Sequence, residues 1–388
     1  MSSIYDTTQL LNLHAVKEAL HWHNQKFINA EQLAAIKSKY QCKLYHPNLA
    51  IRILIFVASW MAISGASGLF FLLFNELSKP GYGVLLVIIG AGILFFVQRV
   101  LIYQNNHFRS GVVEACAYCA LGSIVGGIGM ITDGNEHLVL LTGVVVCAYM
   151  SYRFLDLLCH IVGMLTFAGF IFYEGFQAGG IFRHIIPFMI IVCFSVTYFL
   201  ASHLRKRDYL SLWSDNLKLT EIISLLLIYA GGNYLVVREC SIELLDMTLA
   251  PGEDIPFAFI FYALTAGIPL LLIYRGTKLG RIMLIRLGVV ALVLSVSTFR
   301  YYYSIASPEV VLTLGGVAVL SVTAWLFNIL KVKRGVFTRD KLLSKQWISP
   351  EASAFAISQT MGGNVQKTDE TFKGGGGSFG GGGASGDY

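Results

Sequence analysis

The sequence IRILIFVASWMAISGASGLFFLLF, residues 51–74, decides the class of fold, and Arg52 is its only charged residue. The hydrocarbon core of a bilayer is about 30 Å thick. A helix that rises about 1.5 Å per residue crosses it with about 20 apolar residues. This stretch therefore predicts a transmembrane helix.

Similar apolar runs continue as far as Lys331. The predicted spans are residues 51–74, 82–103, 111–131, 138–152, 154–173, 185–203, 219–237, 256–274, 281–299 and 310–330. Backbone groups find no water in lipid, so spans must be helices or closed barrels, and continuous rather than alternating runs exclude a barrel. We predict an all-α, polytopic transmembrane helical bundle of about ten spans, with short fourth and fifth spans joined by a tight turn at residues 152–154.

The composition agrees with a membrane protein. Hydrophobic residues make up 55% of the chain and charged residues 13%, and the mean hydropathy is +0.64. These values are too apolar for a soluble domain of this length. The formal net charge of +6 is compatible with a nucleic-acid partner, but the placement of the basic residues argues against one. The expected partner is the lipid bilayer.

The distribution of Lys and Arg predicts the orientation. With the N-terminus inside, 24 of the 29 basic residues fall in inner segments, and four fall in outer ones. Those four are Lys79, Arg183, Arg238 and Arg300. Cytoplasmic loops carry an excess of Lys and Arg. We therefore predict an even number of spans with both termini in the cytoplasm, in a bacterial inner membrane.

The chain divides into four predicted parts. Residues 1–50 form a cytoplasmic N-terminal helical segment with no cleavable signal peptide, and residues 51–331 form the transmembrane domain. A cytoplasmic polar segment follows at 332–373, and a nearly all-glycine tail at 374–388 is predicted to be disordered. In the first part, Asn29 and Gln32 predict a capping box that starts a second helix.

Three residues of the N-terminal segment have a spacing that metal ligands can use. His14, Glu18 and His21 fall at i, i+4 and i+7 on one helical face. An exposed amphipathic surface explains the same spacing, so we predict no metal site and no cofactor.

Two parts of the chain resemble known sequences. The segment ALHWHNQKFINAEQLAAIKSKY followed by serial spans resembles an uncharacterised prokaryotic membrane-protein family, a domain of unknown function. Trp22, Ile28 and Glu31 match that family's short signature, whereas Phe27 replaces its usual glycine. The tail GGGGSFGGGGASGDY resembles the Gly-rich C-termini of bacterial membrane proteins that carry a TPM-type domain. Together the resemblances imply a bacterial integral membrane protein and no known activity.

The third span is rich in small residues. Gly122, Gly126 and Gly129 lie along one side of it. Because lipid supplies no hydrophobic force between helices, small residues allow the close backbone approach that packs them. We predict that these glycines are packing positions and that this helix is central in the bundle.

Ionisable residues within spans are costly and are default functional candidates. Glu114, Glu221 and Arg286 lie about one turn from the inner ends of the third, seventh and ninth spans. They form a candidate intramembrane polar cluster in which Arg286 bridges both acids. The alternative is that each side chain reaches the nearby interface separately.

The seventh span contains a possible helix break. Gly231 and Gly232 permit it, and Asn233 can satisfy the freed backbone groups or contact a solute. Small-residue packing explains the same residues. His160 in the fifth span is predicted to be a hydrogen-bonded core histidine.

No nucleotide-binding or hydrolase motif occurs, and local spacing ties no two candidate catalytic groups together. We therefore assign no catalytic residues, and an intramembrane enzyme is only the third hypothesis. The first hypothesis is a transporter or permease. The alternative is a non-catalytic membrane scaffold that binds an unidentified cytoplasmic protein partner through its termini.

Overall fold

The computed structural model describes residues 4–74, 76–244 and 253–303, together with positions 313, 316 and 317. Most of these residues are helical, and the described ranges contain no β-strand, only a single bridge between Tyr45 and His107. Most of the predicted tenth span, the polar segment 332–373 and the tail 374–388 lie outside the described residues.

Two short helices precede the bundle. Helix α1 (Thr7–Asn24) begins where the Asp6 carboxylate accepts a hydrogen bond from the amide of Thr8. Helix α2 (Ala30–Lys39) begins at the predicted capping box, which is confirmed: Asn29 and Gln32 each bond the other's backbone amide.

The remaining elements build the bundle. They are α3 (Leu49–Leu73), α4 (Lys79–Phe96) with a π-helical extension (Val97–Gln104), α5 (Val112–Ile131), α6 (Glu136–Phe154), α7 (Leu157–Ala178), α8 (Ile181–Leu204), a 3-10 turn (Asp208–Trp213), α9 (Ser214–Gly232), α10 (Tyr234–Glu243), α11 (Ala258–Leu279) and α12 (Ile282–Tyr303). Eight helices in the described ranges are long and apolar enough to cross a membrane, or up to nine spans if α9 and α10 form one. The chain is therefore a multi-pass membrane helical bundle.

The fourth and fifth predicted spans are full-length helices. Helix α6 ends at Phe154, two residues past the predicted end of the fourth span, because the reversal occurs at Leu155, which is left-handed at φ 56°. Asp156 then caps α7 by accepting a hydrogen bond from the amide of Cys159 at 2.7 Å. The turn is tight, as predicted, but it lies later in the chain.

Helix α5 is the most buried of the eight apolar helices and packs on α3, α4 and α6. Its closest approach is at Gly127, where an added Cβ would lie 2.6 Å from the carbonyl oxygen of Gly83 on α4. In contrast, an added Cβ at Gly122 or Gly126 would meet nothing within 4 Å, and at Gly129 it would make only an ordinary contact with Val139. The residue that allows close packing is therefore Gly127, the neighbour of the predicted Gly126.

The N-terminal segment docks on one end of the bundle. The ring of Tyr5 contacts that of Phe108 edge to face at 5.0 Å. Tyr45 exchanges two backbone hydrogen bonds with the loop before α5, donating to Asn106 and accepting from Phe108. We call this the N-terminal end of the bundle, and the other the far end.

Candidate functional site

Glu114 forms an ion pair with Arg52 of α3. The Arg52 guanidinium lies 2.5 Å from one carboxylate oxygen, and the other oxygen accepts the backbone amide of Gly111 at 2.8 Å. Gly111 has φ +90°, and a Cβ there would lie 2.2 Å from the carbonyl oxygen of Arg52. Glu114 is 4% exposed, so this pair fixes the start of α5 against α3.

Glu221 forms a second ion pair, with Arg205. The Nε of Arg205 donates to one carboxylate oxygen at 2.8 Å and its Nη2 to the other at 3.4 Å. Glu221 is 1% exposed. The pair ties the end of α8 to the first turns of α9.

Arg286 lies on an exposed position of α12. Glu114 and Glu221 each pair with an arginine that was not predicted as their partner. Arg52 and Arg205 were predicted to flank spans, where basic residues are expected for topology alone. The bridge from Arg286 to both acids stays a prediction.

Of the two interpretations of the seventh span, small-residue packing and a helix break, the structure contains the break. Helix α9 ends at Gly232, Asn233 is extended at φ −83° and ψ 123°, and α10 begins at Tyr234 with a bend of 70°. The Oδ1 of Asn233 accepts the amide of Val236 and caps α10. Freed backbone groups are costly in lipid, and here the hydroxyl of Thr265 accepts the amide of Tyr234 at 2.9 Å.

Polar side chains from three helices converge at this break. We call them the break centre. They are Tyr229 of α9, Asn233 at the end of α9, Thr265 of α11, and Ser295 and Thr298 of α12. The Asn233 amide donates to the Tyr229 hydroxyl at 2.9 Å and to Thr298 at 3.0 Å. Ser295 donates to the carbonyl of Thr265, so its 3.0 Å bond with Tyr229 is donated by the phenol.

All five side chains of the break centre are buried and none is charged. Buried hydroxyl and amide groups are costly unless they are hydrogen-bonded, and each of these five makes at least one hydrogen bond within the bundle. The search for ionisable residues missed Thr265, Ser295 and Thr298. A lone hydroxyl in an apolar span is a weak sequence signal.

A carboxylate at the far end, beside the break, joins two tyrosines. Asp254 accepts hydrogen bonds from the hydroxyl of Tyr234 at 2.6 Å and from that of Tyr262 at 3.0 Å. We call this the Asp254 clamp. Partial burial raises the Asp254 pKa, but the two phenols, the amide of Ile255 and the charge of Arg238 outweigh it, so the net pKa is below the usual value.

A second polar arrangement lies between α6, α7 and α9. His160 bonds Ser151 through Nδ1 and Thr220 through Nε2, each at 2.7 Å. Thr220 donates to the carbonyl of Asn216, so His160 donates from Nε2 and accepts from Ser151 at Nδ1. The amide of Asn216 donates to Ser151 at 3.0 Å and closes a hydrogen-bond ring. His160 is thus a hydrogen-bonded core histidine, as predicted.

Within the described part of the chain, no group of three or more His, Cys, Asp and Glu residues is arranged to hold a metal ion. Comparison with protein-family models, with curated proteins and with solved structures finds no match to this chain.

Proposed function

We propose that the chain is a transporter or permease, and that the break centre is its solute site. The observation that supports this is the 70° break between α9 and α10, with five buried polar side chains around it. Many secondary transporters bind their substrates where a transmembrane helix is interrupted, because the break frees backbone groups within the membrane.

The chemistry of the break centre suggests the class of solute. Its side chains are phenol, amide and aliphatic hydroxyl, which donate and accept hydrogen bonds without a fixed charge. A charged solute would be desolvated there without a counter-ion. We therefore propose a small, uncharged polar solute.

The proposal includes the topology expected from sequence: about ten spans, both termini cytoplasmic, in a bacterial inner membrane. Under this orientation the Asp254 clamp faces the periplasm. It then closes the outer approach to the break centre.

Cysteine accessibility tests the proposal without knowledge of the solute. In a background with the seven native cysteines replaced, Thr298→Cys is treated with a membrane-impermeant thiol reagent in spheroplasts and in inverted vesicles. A transporter makes this buried position reachable by water from at least one side. Val293→Cys, an exposed apolar position of the same helix, is the matched control and stays unreactive because it faces lipid.

The scaffold is the second candidate, and one observation favours it. The N-terminal segment exposes Leu11, Trp22 and Phe27 outside the spans, with Phe27 62% exposed. Apolar side chains that form a contiguous exposed patch mark protein or membrane interaction sites, and a scaffold would use these three residues in that way. A photoreactive residue at Phe27 that forms one discrete protein adduct in cells, together with an unreactive Thr298→Cys, would favour the scaffold over the transporter.

A further inference from the structure

A cavity of about 540 Å³ lies between α6, α7, α8 and α9. Pockets that bind small molecules have volumes of about 300–1,000 Å³. The walls are mainly apolar, and they include Val144, Ala148, Met164, Phe167, Leu204 and Leu217. Such walls favour an apolar chain over water.

The hydrogen-bond ring of Ser151, His160, Asn216 and Thr220 forms the polar part of this cavity. The ring uses the protons of both hydroxyls and of the imidazole on its own members. The hydrogen bonds of Asn216 with described residues involve its side-chain NH2 group and its backbone carbonyl, and none of them is donated to its side-chain carbonyl, although Asn216 lines the cavity. The cavity therefore offers an acceptor to a ligand that carries a hydroxyl.

The polar groups of the cavity lie at one end, beside Leu204 and Leu217, and the other end is apolar. Ser151 and His160 lie toward the turn between α6 and α7, whereas Val144 and Phe167 lie deeper along the same two helices. Tyr152 stacks on Trp213 at 5.3 Å beside the polar end. Aromatic pairs of this kind mark the membrane–water interface.

The lining also limits the charge of the ligand. Among the described residues that line the cavity, none is Asp, Glu, Lys or Arg. A charged group placed against these walls would lose its hydration without an ionic partner. The head of the ligand must therefore be neutral.

We infer that this cavity binds a neutral amphiphile with one apolar chain and a hydroxyl-bearing head. The head lies at the hydrogen-bond ring near the membrane–water interface, and its hydroxyl donates to the side-chain carbonyl of Asn216. The apolar chain extends toward Val144 and Phe167. This site is separate from the break centre and does not rest on the proposed transport function.

Photo-crosslinking in a phospholipid bilayer tests the inference. The probe is a monoacylglycerol with a diazirine in its chain, and adducts are located by mass spectrometry. Adducts are expected in residues 144–148 and 163–167, which line the deep end of the cavity, and excess unlabelled monoacylglycerol should remove them. Lysophosphatidylglycerol of the same chain length, which is anionic, should compete much less.

Two substitutions on α6 form a matched pair. Ala148→Phe fills the cavity and should lower adduct formation about tenfold, equivalent to about 1.4 kcal/mol of binding free energy. Val145→Phe adds the same side chain at an exposed position outside the lining and should change nothing.

Three results would overturn the inference: adducts as abundant on α3 as in the cavity, equal competition by the anionic lipid, or undiminished labelling of Ala148→Phe. If Ala148→Phe does not fold, the competition experiment on the wild-type protein decides alone.

Discussion

The hydroxyl of Tyr234 donates a 2.6 Å hydrogen bond to Oδ1 of Asp254, joining the first residue of α10 to the segment before α11. The other carboxylate oxygen accepts a hydrogen bond from the hydroxyl of Tyr262 on α11. The rings of the two tyrosines stack with their centroids 4.2 Å apart. One exposed carboxylate thus holds together the two helices beside the helix break.

The Asp254 clamp predicts a pH dependence of stability. Because the folded-state pKa of Asp254 lies below its ordinary value of 3.8, the ionised form stabilises the fold. That contribution is full above the ordinary value and is lost as pH falls through the lower folded-state pKa. Asp254→Asn should therefore lower the melting temperature at pH 7, and the difference from wild type should shrink below pH 3.8. Thermal unfolding in detergent at several pH values measures this, and a difference independent of pH would contradict it.

Gly127 and Gly126 predict opposite outcomes of one substitution. An Ala at Gly127 places its Cβ 2.6 Å from the backbone oxygen of Gly83, so α4 and α5 must separate, at a cost of about 1–3 kcal/mol. An Ala at Gly126 meets nothing within 4 Å and should be neutral or slightly stabilising, because alanine favours a helix more than glycine does. Thermal unfolding of both purified variants measures the difference, and equal losses would contradict the packing at Gly127.

Double-mutant cycles test whether Glu221 couples to Arg205 or to Arg286, its partner in the predicted three-residue cluster. Arg205→Leu and Glu221→Gln should show a coupling free energy of about 0.5–3 kcal/mol, as is usual for residues in contact. The coupling of Arg286→Leu with Glu221→Gln should be smaller, since both oxygens of Glu221 already accept hydrogen bonds from Arg205. Equal coupling in the two cycles would support the bridge through Arg286.

Thiol labelling tests the predicted orientation. Cysteines placed at Asp133 and Glu243 should react with an impermeant reagent outside intact spheroplasts, and cysteines at Lys206 and Lys278 should not. This expectation follows from the excess of Lys and Arg in the loops that are predicted to be cytoplasmic. Outside labelling at Lys206 would reverse the orientation.

The sequence is sufficient to predict the class of fold and most helix bounds, because each span must supply its own apolar length. The predicted span 111–131 agrees with α5 (Val112–Ile131) within one residue. The break at Asn233 was also foreseeable, since Gly231 and Gly232 weaken the helix before a residue that can cap the next one.

Contacts between helices were less predictable. Gly127 rather than Gly126 meets α4, a difference of one residue that depends on how α5 is rotated. Arg52 and Arg205 lie at the ends of helices, where a basic residue is also expected for topology alone. The cavity between α6 and α9 requires four helices to be placed, and no local pattern in the sequence encodes it.

The most direct test of the transport proposal combines the break centre with the Asp254 clamp. The measurement is the rate at which an impermeant thiol reagent, added outside spheroplasts, modifies Thr298→Cys with and without Asp254→Asn. We predict that Thr298→Cys is modified, and faster when Asp254→Asn opens the clamp, while Val293→Cys stays unreactive in both backgrounds. No modification of Thr298→Cys by the outside reagent, with or without Asp254→Asn, would show that the break centre is sealed from that side and would contradict the account.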